Sequence, residues 1–274
     1  MQTVYQQPQP PRRAVSVHDE KKKKVVKQTN ITINLSWGLT GYKDNFLLAC
    51  WEGFAAFSLV WIAATLRGLG TGVVVNEFAS LIIGFSTFVI MTMFRGASGN
   101  PINLLAAVLY RRIGIIAFLL AIIAQLAGAL VACVAVQWGF NVSVGNAIPH
   151  TMAPFPQYSA LIAELFAATL VTIMYLISTG HGHHYNKPLA VGVAISVVSL
   201  TVWPISNACI NPWFHLSTAI IGAVWTTDCW VYYVGDFVAG ILAPLGVWLF
   251  GMLLHTPSED IFDDFVSREE HHSQ

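Results

Sequence analysis

Charged residues are scarce in this chain. Asp, Glu, Lys and Arg make up 10% of its 274 residues, whereas an ordinary soluble domain has about 25%. Hydrophobic residues make up 55% of the chain. The 14 basic residues are balanced by 14 acidic ones, so there is no net positive charge to attract nucleic acid. The composition therefore excludes an ordinary soluble domain and predicts a membrane protein whose surroundings are lipid.

Cysteine pairs and catalytic motifs are also missing. The four cysteines lie in or beside apolar segments with no paired spacing, so neither a disulfide framework nor a metal site is expected. No nucleophile, general base and orienting group share a motif. The sequence therefore predicts neither an enzyme nor a cofactor-binding protein.

Long apolar runs account for most of the chain. Each has about 20 residues, enough to cross ~30 Å of hydrocarbon at ~1.5 Å per helical residue. Six such runs lie near residues 46–66, 73–94, 113–137, 159–179, 188–204 and 230–253. The fifth is the shortest, because it is expected to end at Pro204. The pattern predicts six transmembrane helices.

The segments on either side of these runs differ from them in composition. Residues 1–42 are rich in Gln, Pro and Lys and are expected to be a disordered tail, whereas residues 255–274 are acidic. The membrane domain is therefore assigned to residues 43–254. If both ends lie on one side, 13 of the 14 Lys and Arg residues fall on that side and only Arg67 falls on the other. Because Lys and Arg concentrate in cytoplasmic loops, both termini are predicted to be cytoplasmic.

Two short motifs indicate an internal duplication. Asn100-Pro101-Ile102 returns 111 residues later as Asn211-Pro212-Trp213, and Glu52 returns 112 residues later as Glu164. This common register predicts two repeats, at about 43–137 and 159–254. Three membrane crossings separate equivalent points, so the second repeat is expected to be inverted relative to the first.

The two Asn-Pro pairs predict helix starts inside the membrane. Asn is a strong N-cap residue and Pro is tolerated at the first helical position. The roughly ten apolar residues that follow each pair would cover ~15 Å, half of a bilayer. Non-helical backbone at that depth must be buried in protein or line a watery cavity. A pore explains both motifs, with the positive ends of two half-helices opposing cations and two Asn amides donating to a passing oxygen. The alternative is a turn with a cap inside a helix bundle.

These motifs resemble the aquaporin, or major intrinsic protein, family over about residues 43–254. The segments Ala124–Ala129, Lys187–Gly192 and Trp230–Gly235 are similar to further signatures of its third, fifth and sixth helices. The resemblance implies an all-α membrane fold of six helices plus two half-helices in an inverted repeat. It also implies a homotetramer with one pore per subunit.

Four residues are expected to have structural roles. Glu52 and Glu164 resemble the paired buried glutamates of the family, and they are expected to accept hydrogen bonds from the irregular backbone before each half-helix. Gly128 and Gly240 are expected to allow the third and sixth spans to approach closely where they cross.

The chain departs from the family at the residues that shape the pore. Ile102 and Trp213 replace the alanines of the two boxes. Phe214 stands where the family places an arginine, and a phenyl ring supplies neither the donors nor the positive barrier of a guanidinium. The remaining positions of the outer filter align with Ser199, Ala208 and either Ser80 or Ile83. Cys209 and His215 are further candidates for lining the pore.

Two functions follow from these departures. The first is a passive channel for water and for small uncharged solutes such as glycerol and urea, which an outward-pointing Phe214 would admit through a wider opening. The second is a poorly conducting or non-conducting aquaporin-like membrane subunit, because an inward-pointing Phe214 could plug the pore.

Overall fold

The computed structural model describes residues 42–69, 76–178 and 186–253, and every regular element in these ranges is helical. The α-helices are α1 (Tyr42–Gly68), α2 (Asn76–Met93), α3 (Pro101–Leu109), α4 (Ile115–Val134), α5 (Gln157–Ser178), α6 (Asn186–Ser206), α7 (Pro212–Gly222) and α8 (Cys229–Leu253). A π-helical turn, Ala135–Gly139, extends α4, and a 3₁₀ turn, Val144–Ala147, follows it. The predicted tails lie outside the described residues, apart from Tyr42.

The order of long and short helices shows the duplication. Two long helices, one short helix and one long helix occur in α1 to α4, and the same order recurs in α5 to α8. The short helices α3 and α7 begin at the two predicted Asn-Pro motifs and have 9 and 11 residues. The inverted repeat of three spans and a half-helix is therefore confirmed as the architecture of the described part of the chain.

The long helices have the length and surface of membrane spans. Five of them, α1, α4, α5, α6 and α8, contain stretches long and apolar enough to cross a bilayer, and α2 contributes the shorter apolar stretch Phe78–Met93. Large apolar side chains cover the outside, for example Ile123 with 66% and Trp138 with 67% of its surface exposed. Such a surface is unfavourable in water but suits contact with lipid tails. The chain is an integral membrane protein.

The fifth span is longer than the sequence predicts. Helix α6 continues through Pro204 to Ser206, so the prediction that it ends at Pro204 is wrong. A proline in a helix removes one backbone N–H. Here the loss falls in the last turn, which is completed by the Asn207 N–H donating to the Trp203 carbonyl at 2.9 Å. One missing bond so close to the end is not enough to stop the helix.

The helices pack in pairs that follow the repeat. Helix α1 packs along α4, α5 packs along α8, and α2 of the first repeat packs along α6 of the second. These pairs surround α3 and α7, so the two half-helices lie inside the bundle.

Gly128 and Gly240 permit close contacts with other helices, but they do not bring the third and sixth spans together as expected. A Cβ atom on Gly128 would lie 2.2 Å from the carbonyl oxygen of Gly53 in α1. A Cβ atom on Gly240 would lie 3.1 Å from the Cγ2 atom of Ile102 in α3. The prediction that these glycines allow the third and sixth spans to cross is therefore wrong. A small residue shows that some neighbour comes close, but the neighbour is chosen by the packing of the whole bundle.

Candidate functional site

The half-helices begin with matched side-chain caps. The Oδ1 atom of Asn100 accepts from the backbone N–H of Ile102 at 3.1 Å, and Oδ1 of Asn211 accepts from the N–H of Trp213 at 3.0 Å. Each Asn is followed by Pro in the first helical position, where a missing N–H removes no helical bond. Local sequence chemistry is therefore sufficient to start both helices where the sequence predicts.

The same two side chains join the half-helices to each other. The Nδ2 atom of Asn100 donates to the carbonyl of Ile210 at 2.7 Å, and Nδ2 of Asn211 donates to the carbonyl of Gly99 at 3.0 Å. The N-termini of α3 and α7 therefore meet, with the two carboxamides side by side. An amide NH₂ group has two protons, so each Asn retains one N–H beyond this cross-link.

A buried carboxylate supports the backbone before α3. Glu52 of α1 accepts from the N–H groups of Ser98 at 3.0 Å and Gly99 at 2.8 Å, and from the Nε2 atom of Gln125 at 2.7 Å. Gly99 has φ = +58°, and a Cβ there would lie 2.8 Å from the backbone of α1. Only glycine fits this left-handed turn against α1 without strain.

The second repeat supports the backbone before α7 in the same way. Glu164 of α5 accepts from the N–H groups of Cys209 at 2.9 Å and Ile210 at 2.8 Å, and from the hydroxyl of Ser206. The hydrogen bonds predicted for both glutamates are therefore present. The segment differs from its counterpart because Asn207, Ala208 and Ile210 are left-handed without being glycine, with φ = +60°, +46° and +53°. Such strained backbone persists only where its surroundings hold it.

A cavity runs past both carboxamides. It is lined by Leu59, Val60, Ala63, Arg67, Ile83, Thr87, Met91, Ser98, Asn100, Asn103, Val191, Ile195, Ser199, Ala208, Cys209, Ile210, Asn211 and Phe214. Gly84 of α2 packs against Gly192 and Ser196 of α6, so these two helices border the cavity together. The lining is mainly apolar, and its hydrogen-bonding side chains include the two asparagines of the motifs, Ser199 and Arg67.

Most of the predicted filter positions line this cavity. Ile83, Ser199, Ala208 and Phe214 do so, but Ser80 does not. Ser80 is fully buried elsewhere, and its hydroxyl has no hydrogen-bond partner among the described residues. The alternative left open on the second span is thus resolved in favour of Ile83 as the lining residue. Phe214 is an inward-facing residue.

The two other candidates for lining the pore differ. Cys209 lines the cavity, and its thiol donates to the Asn211 carbonyl at 3.2 Å. His215 lies outside the cavity, fully buried against Tyr232 with ring centroids 4.9 Å apart, and its Nδ1 atom is 3.1 Å from the Tyr233 hydroxyl. The prediction for His215 is wrong because successive helical residues point about 100° apart, and residue 214 occupies the cavity side.

The large residues that replace the box alanines also lie outside the cavity. Ile102 is fully buried against Gly240 of α8. Trp213 is partly buried and meets the ring of Phe237 edge-on, with the centroids 6.3 Å apart. Their added volume is therefore taken up by packing between helices and does not block the cavity.

The sequence does not predict one residue of the site. It predicts only a charge in a loop at Arg67, which is the penultimate residue of α1. Its guanidinium lies in the cavity wall, with its carbon 4.2 Å from the ring centroid of Trp203 and 5.1 Å from that of Phe214. The available signal was an ionisable residue at the end of an apolar span, which indicates a functional site with a partner. The absence of a guanidinium at position 214 therefore does not mean that the cavity lacks one.

Comparison with known proteins gives consistent matches. The family described as "Major intrinsic protein" matches residues 47–247. The chain is 28% identical to "Probable aquaporin TIP3-2" of Arabidopsis thaliana over 193 residues, which cover 68% of this chain and 72% of that protein. It is 25% identical to "Probable aquaporin-5" of Gibberella zeae over 181 residues, 62% of this chain but only 32% of that longer protein.

A solved structure has the same fold. The "X-ray structure of the aquaglyceroporin from Plasmodium falciparum" superposes with a TM-score of 0.63 at 17% sequence identity. The match covers 76% of this chain and 95% of that one. At this identity the likeness concerns the fold alone.

Proposed function

The chain belongs to the major intrinsic protein family, whose members are membrane channels and not enzymes, and we propose that it conducts water, with the inward-facing ring of Phe214 limiting the passage of small uncharged solutes such as glycerol and urea. One observation carries the proposal. Asn100 and Asn211 meet in a cavity bordered by membrane-spanning helices, and each carboxamide is held by a cap and by a cross-link. The remaining N–H group of each carboxamide is held in place and can donate a hydrogen bond to the oxygen of a passing solute.

The two half-helices and their caps would select against ions. Both helix N-termini direct partial positive charge at the same point, which opposes cations. A water molecule that accepts from the free N–H of Asn100 and then of Asn211 has its own hydrogens turned away from them. The chain of hydrogen bonds along which a proton could pass is interrupted there.

The apolar wall completes the selection. Side chains such as Ile83, Ile195 and Val191 offer no replacement for the hydration shell of an ion, so a charged solute would lose hydration without compensation. Uncharged molecules lose less hydration free energy when they enter the cavity. Ser199, which also lines the cavity, can exchange hydrogen bonds with the hydroxyl or amide groups of such solutes.

One observation favours the second candidate function, a poorly conducting or non-conducting subunit. Phe214 faces the cavity and is almost fully buried, with 3% of its surface exposed. A ring in that position narrows the cavity at the end near Arg67, which is the outer end in the predicted orientation. The two candidates therefore differ in how much Phe214 restricts passage.

Swelling of proteoliposomes in gradients of water, glycerol and urea tests this difference. We expect the wild type to conduct water above empty liposomes. We expect Phe214→Ala to raise glycerol and urea permeability at least about threefold, because it widens the outer end. The control is Phe237→Ala, which removes a ring of the same size that contacts Trp213 outside the cavity. If the wild type moves no solute above empty liposomes, the channel proposal fails and the subunit function gains.

We further propose a homotetramer with one cavity per subunit and cytoplasmic termini. Family membership supports the oligomer, and the uneven distribution of Lys and Arg supports the orientation. Membrane lipid is then the partner of the apolar faces that the subunits leave uncovered.

A further inference from the structure

We propose that Arg67 determines specificity in this cavity: from the end of the first span it supplies the fixed positive charge that excludes cations, including hydronium, at the outer end. The role rests on the proposed channel function, since it describes what that channel rejects. Three observations support this role: the position of the guanidinium in the cavity wall, the hydrogen bonds that hold it, and the aromatic rings that face it.

The guanidinium is anchored to the strained segment before α7. Its Nη1 atom donates to the backbone carbonyl of Asn207 at 2.6 Å and to the Oδ1 atom of the same residue at 3.2 Å. Its Nη2 atom donates to the carbonyl of Ala208 at 2.7 Å. Asn207 and Ala208 are left-handed, so their carbonyls point in directions that regular structure does not use. These bonds fix the charge in the wall and help to hold that backbone.

Two aromatic rings hold the planar group on other sides. The guanidinium carbon lies 4.2 Å from the centroid of the largely buried Trp203 ring and 5.1 Å from that of Phe214. Arginine above an aromatic face is attracted by the ring's electrons. Phe214 thus both lines the cavity and faces the charge. An apolar residue at position 214 fits this arrangement because the positive charge comes from α1.

The charge is not cancelled by a direct ion pair in the described part of the chain. Glu164 acts on Arg67 through space, but its carboxylate accepts the N–H groups of Cys209 and Ile210. One unit charge about 6 Å from a passing monovalent cation, at an effective dielectric constant of about 20, would lower the occupancy of that cation about a hundredfold. Uncharged solutes would not feel this barrier.

Arg67 also keeps donor capacity for a solute. A guanidinium has five N–H groups, and the observed bonds use two on Nη1 and one on Nη2. The second Nη2 proton is left over in a residue that lines the cavity. The same group can therefore repel cations and donate to the oxygen of water.

The test compares an uncharged and a charged substitution of Arg67 in the full chain, reconstituted in liposomes. Arg67→Gln removes the charge but keeps an amide that can donate to the loop carbonyls, whereas Arg67→Lys keeps the charge. Water permeability is measured by swelling, and proton leak by an entrapped pH dye under a potassium diffusion potential. We expect Arg67→Gln to conduct water and to leak protons at least about tenfold faster than wild type, and Arg67→Lys to stay near wild type. The control Arg111→Gln removes an exposed charge outside the cavity and should change neither rate.

The outcomes separate this proposal from the channel function. If the wild type conducts no water, the channel function fails. If the wild type conducts and Arg67→Gln leaks no faster, or if Gln and Lys variants leak equally, the role of Arg67 is overturned. Should Arg67→Gln not fold, Phe214→Glu replaces it, because a carboxylate facing the intact Arg67 would neutralise its charge. The leak is then expected to rise, and an unchanged leak would count against the proposal.

Discussion

At the scale of single residues, the chain keeps the two asparagines of the family motifs but differs in the large and charged residues around them. Ile102 and Trp213 enlarge the boxes, yet both pack between helices. Phe214 occupies the cavity wall, and the guanidinium that faces it comes from Arg67. A residue type at one position is therefore a weak guide to the pore, because a neighbour from another helix can supply the missing group.

The carboxyl group of Asp236 in α8 has no neighbouring group among the described residues that pairs with it. It is fully buried, and neither carboxyl oxygen has a hydrogen-bond partner among the described residues. Burial of an unpaired polar group costs about 1–3 kcal/mol, and more if the group is charged. Nothing in the structure explains why an acidic residue is present there.

We expect Asp236→Asn to stabilise the protein, because an amide of the same shape removes the possibility of an unpaired buried charge. Thermal unfolding in detergent would measure this as a higher midpoint, and the gain comes from the charge alone, because the amide is left as unpaired as the carboxyl was. The matched control is Asp228→Asn. Burial acts to raise the pKa of the Asp228 carboxyl, but hydrogen bonds from the Thr226 side chain and from Thr151 outweigh it and keep that pKa below the ordinary value. The control should lower the midpoint. A lower midpoint for Asp236→Asn would show that the carboxyl is needed.

At the scale of elements, the half-helices need support from spans of their own repeat. Glu52 of α1 holds the backbone before α3, and Glu164 of α5 holds the backbone before α7. Close packing brings these supports into place. Helix α1 lies against α4 because Gly128 presents no side chain to the Gly53 carbonyl. Displacement of α1 would move Glu52 away from Gln125 and from the turn that it holds.

Gly128→Ala is therefore expected to destabilise the protein. Its Cβ would lie 2.2 Å from a backbone oxygen of α1, which cannot move aside as a flexible side chain could. The two helices must separate, at a cost of about 1–3 kcal/mol, typical of overpacking. The midpoint of thermal unfolding measures the loss. Gly114→Ala is the control, because Gly114 precedes the same helix with φ = −76° and nothing lies within 4 Å of an added Cβ. Equal midpoints for the two variants would contradict the predicted contact.

At the scale of the whole molecule, the inverted repeat brings two equivalent half-helices together head to head. The acidic and amide side chains Glu52, Gln125, Glu164 and Asp236 are buried within the long helices, whereas large apolar side chains such as that of Ile123 are exposed on the outside. The central cross-link between Asn100 and Asn211 joins the two repeats across the cavity. The described membrane domain is therefore stabilised where solutes would pass.

The proposed orientation can be tested by thiol labelling of the whole protein in cells. In a chain whose native cysteines are replaced by serine, Trp225→Cys would lie between α7 and α8 on the outer side. Arg111→Cys would lie after α3 on the cytoplasmic side. Both native residues are exposed. A membrane-impermeant reagent added outside is expected to label position 225 and not 111, and permeabilisation should make both reactive. Labelling of 111 alone in intact cells would reverse the orientation.

The sequence by itself determined the features that depend on local chemistry. Apolar length specified the spans, Asn followed by Pro specified where α3 and α7 begin, and the spacing of the motifs specified the repeat. The buried glutamates were also recognisable, because an acid within an apolar span requires donors. Each of these follows from residues that are neighbours along the chain or from the solvent around it.

Only the tertiary structure decided which residues meet across the bundle. It placed Arg67 over Phe214, turned His215 toward Tyr232, and set Gly128 against α1. It also carried α6 past Pro204. These outcomes depend on the rotation and offset of rigid helices that are distant in sequence. A shift of one residue turns a helix face by about 100°, so a pattern along the chain cannot supply them.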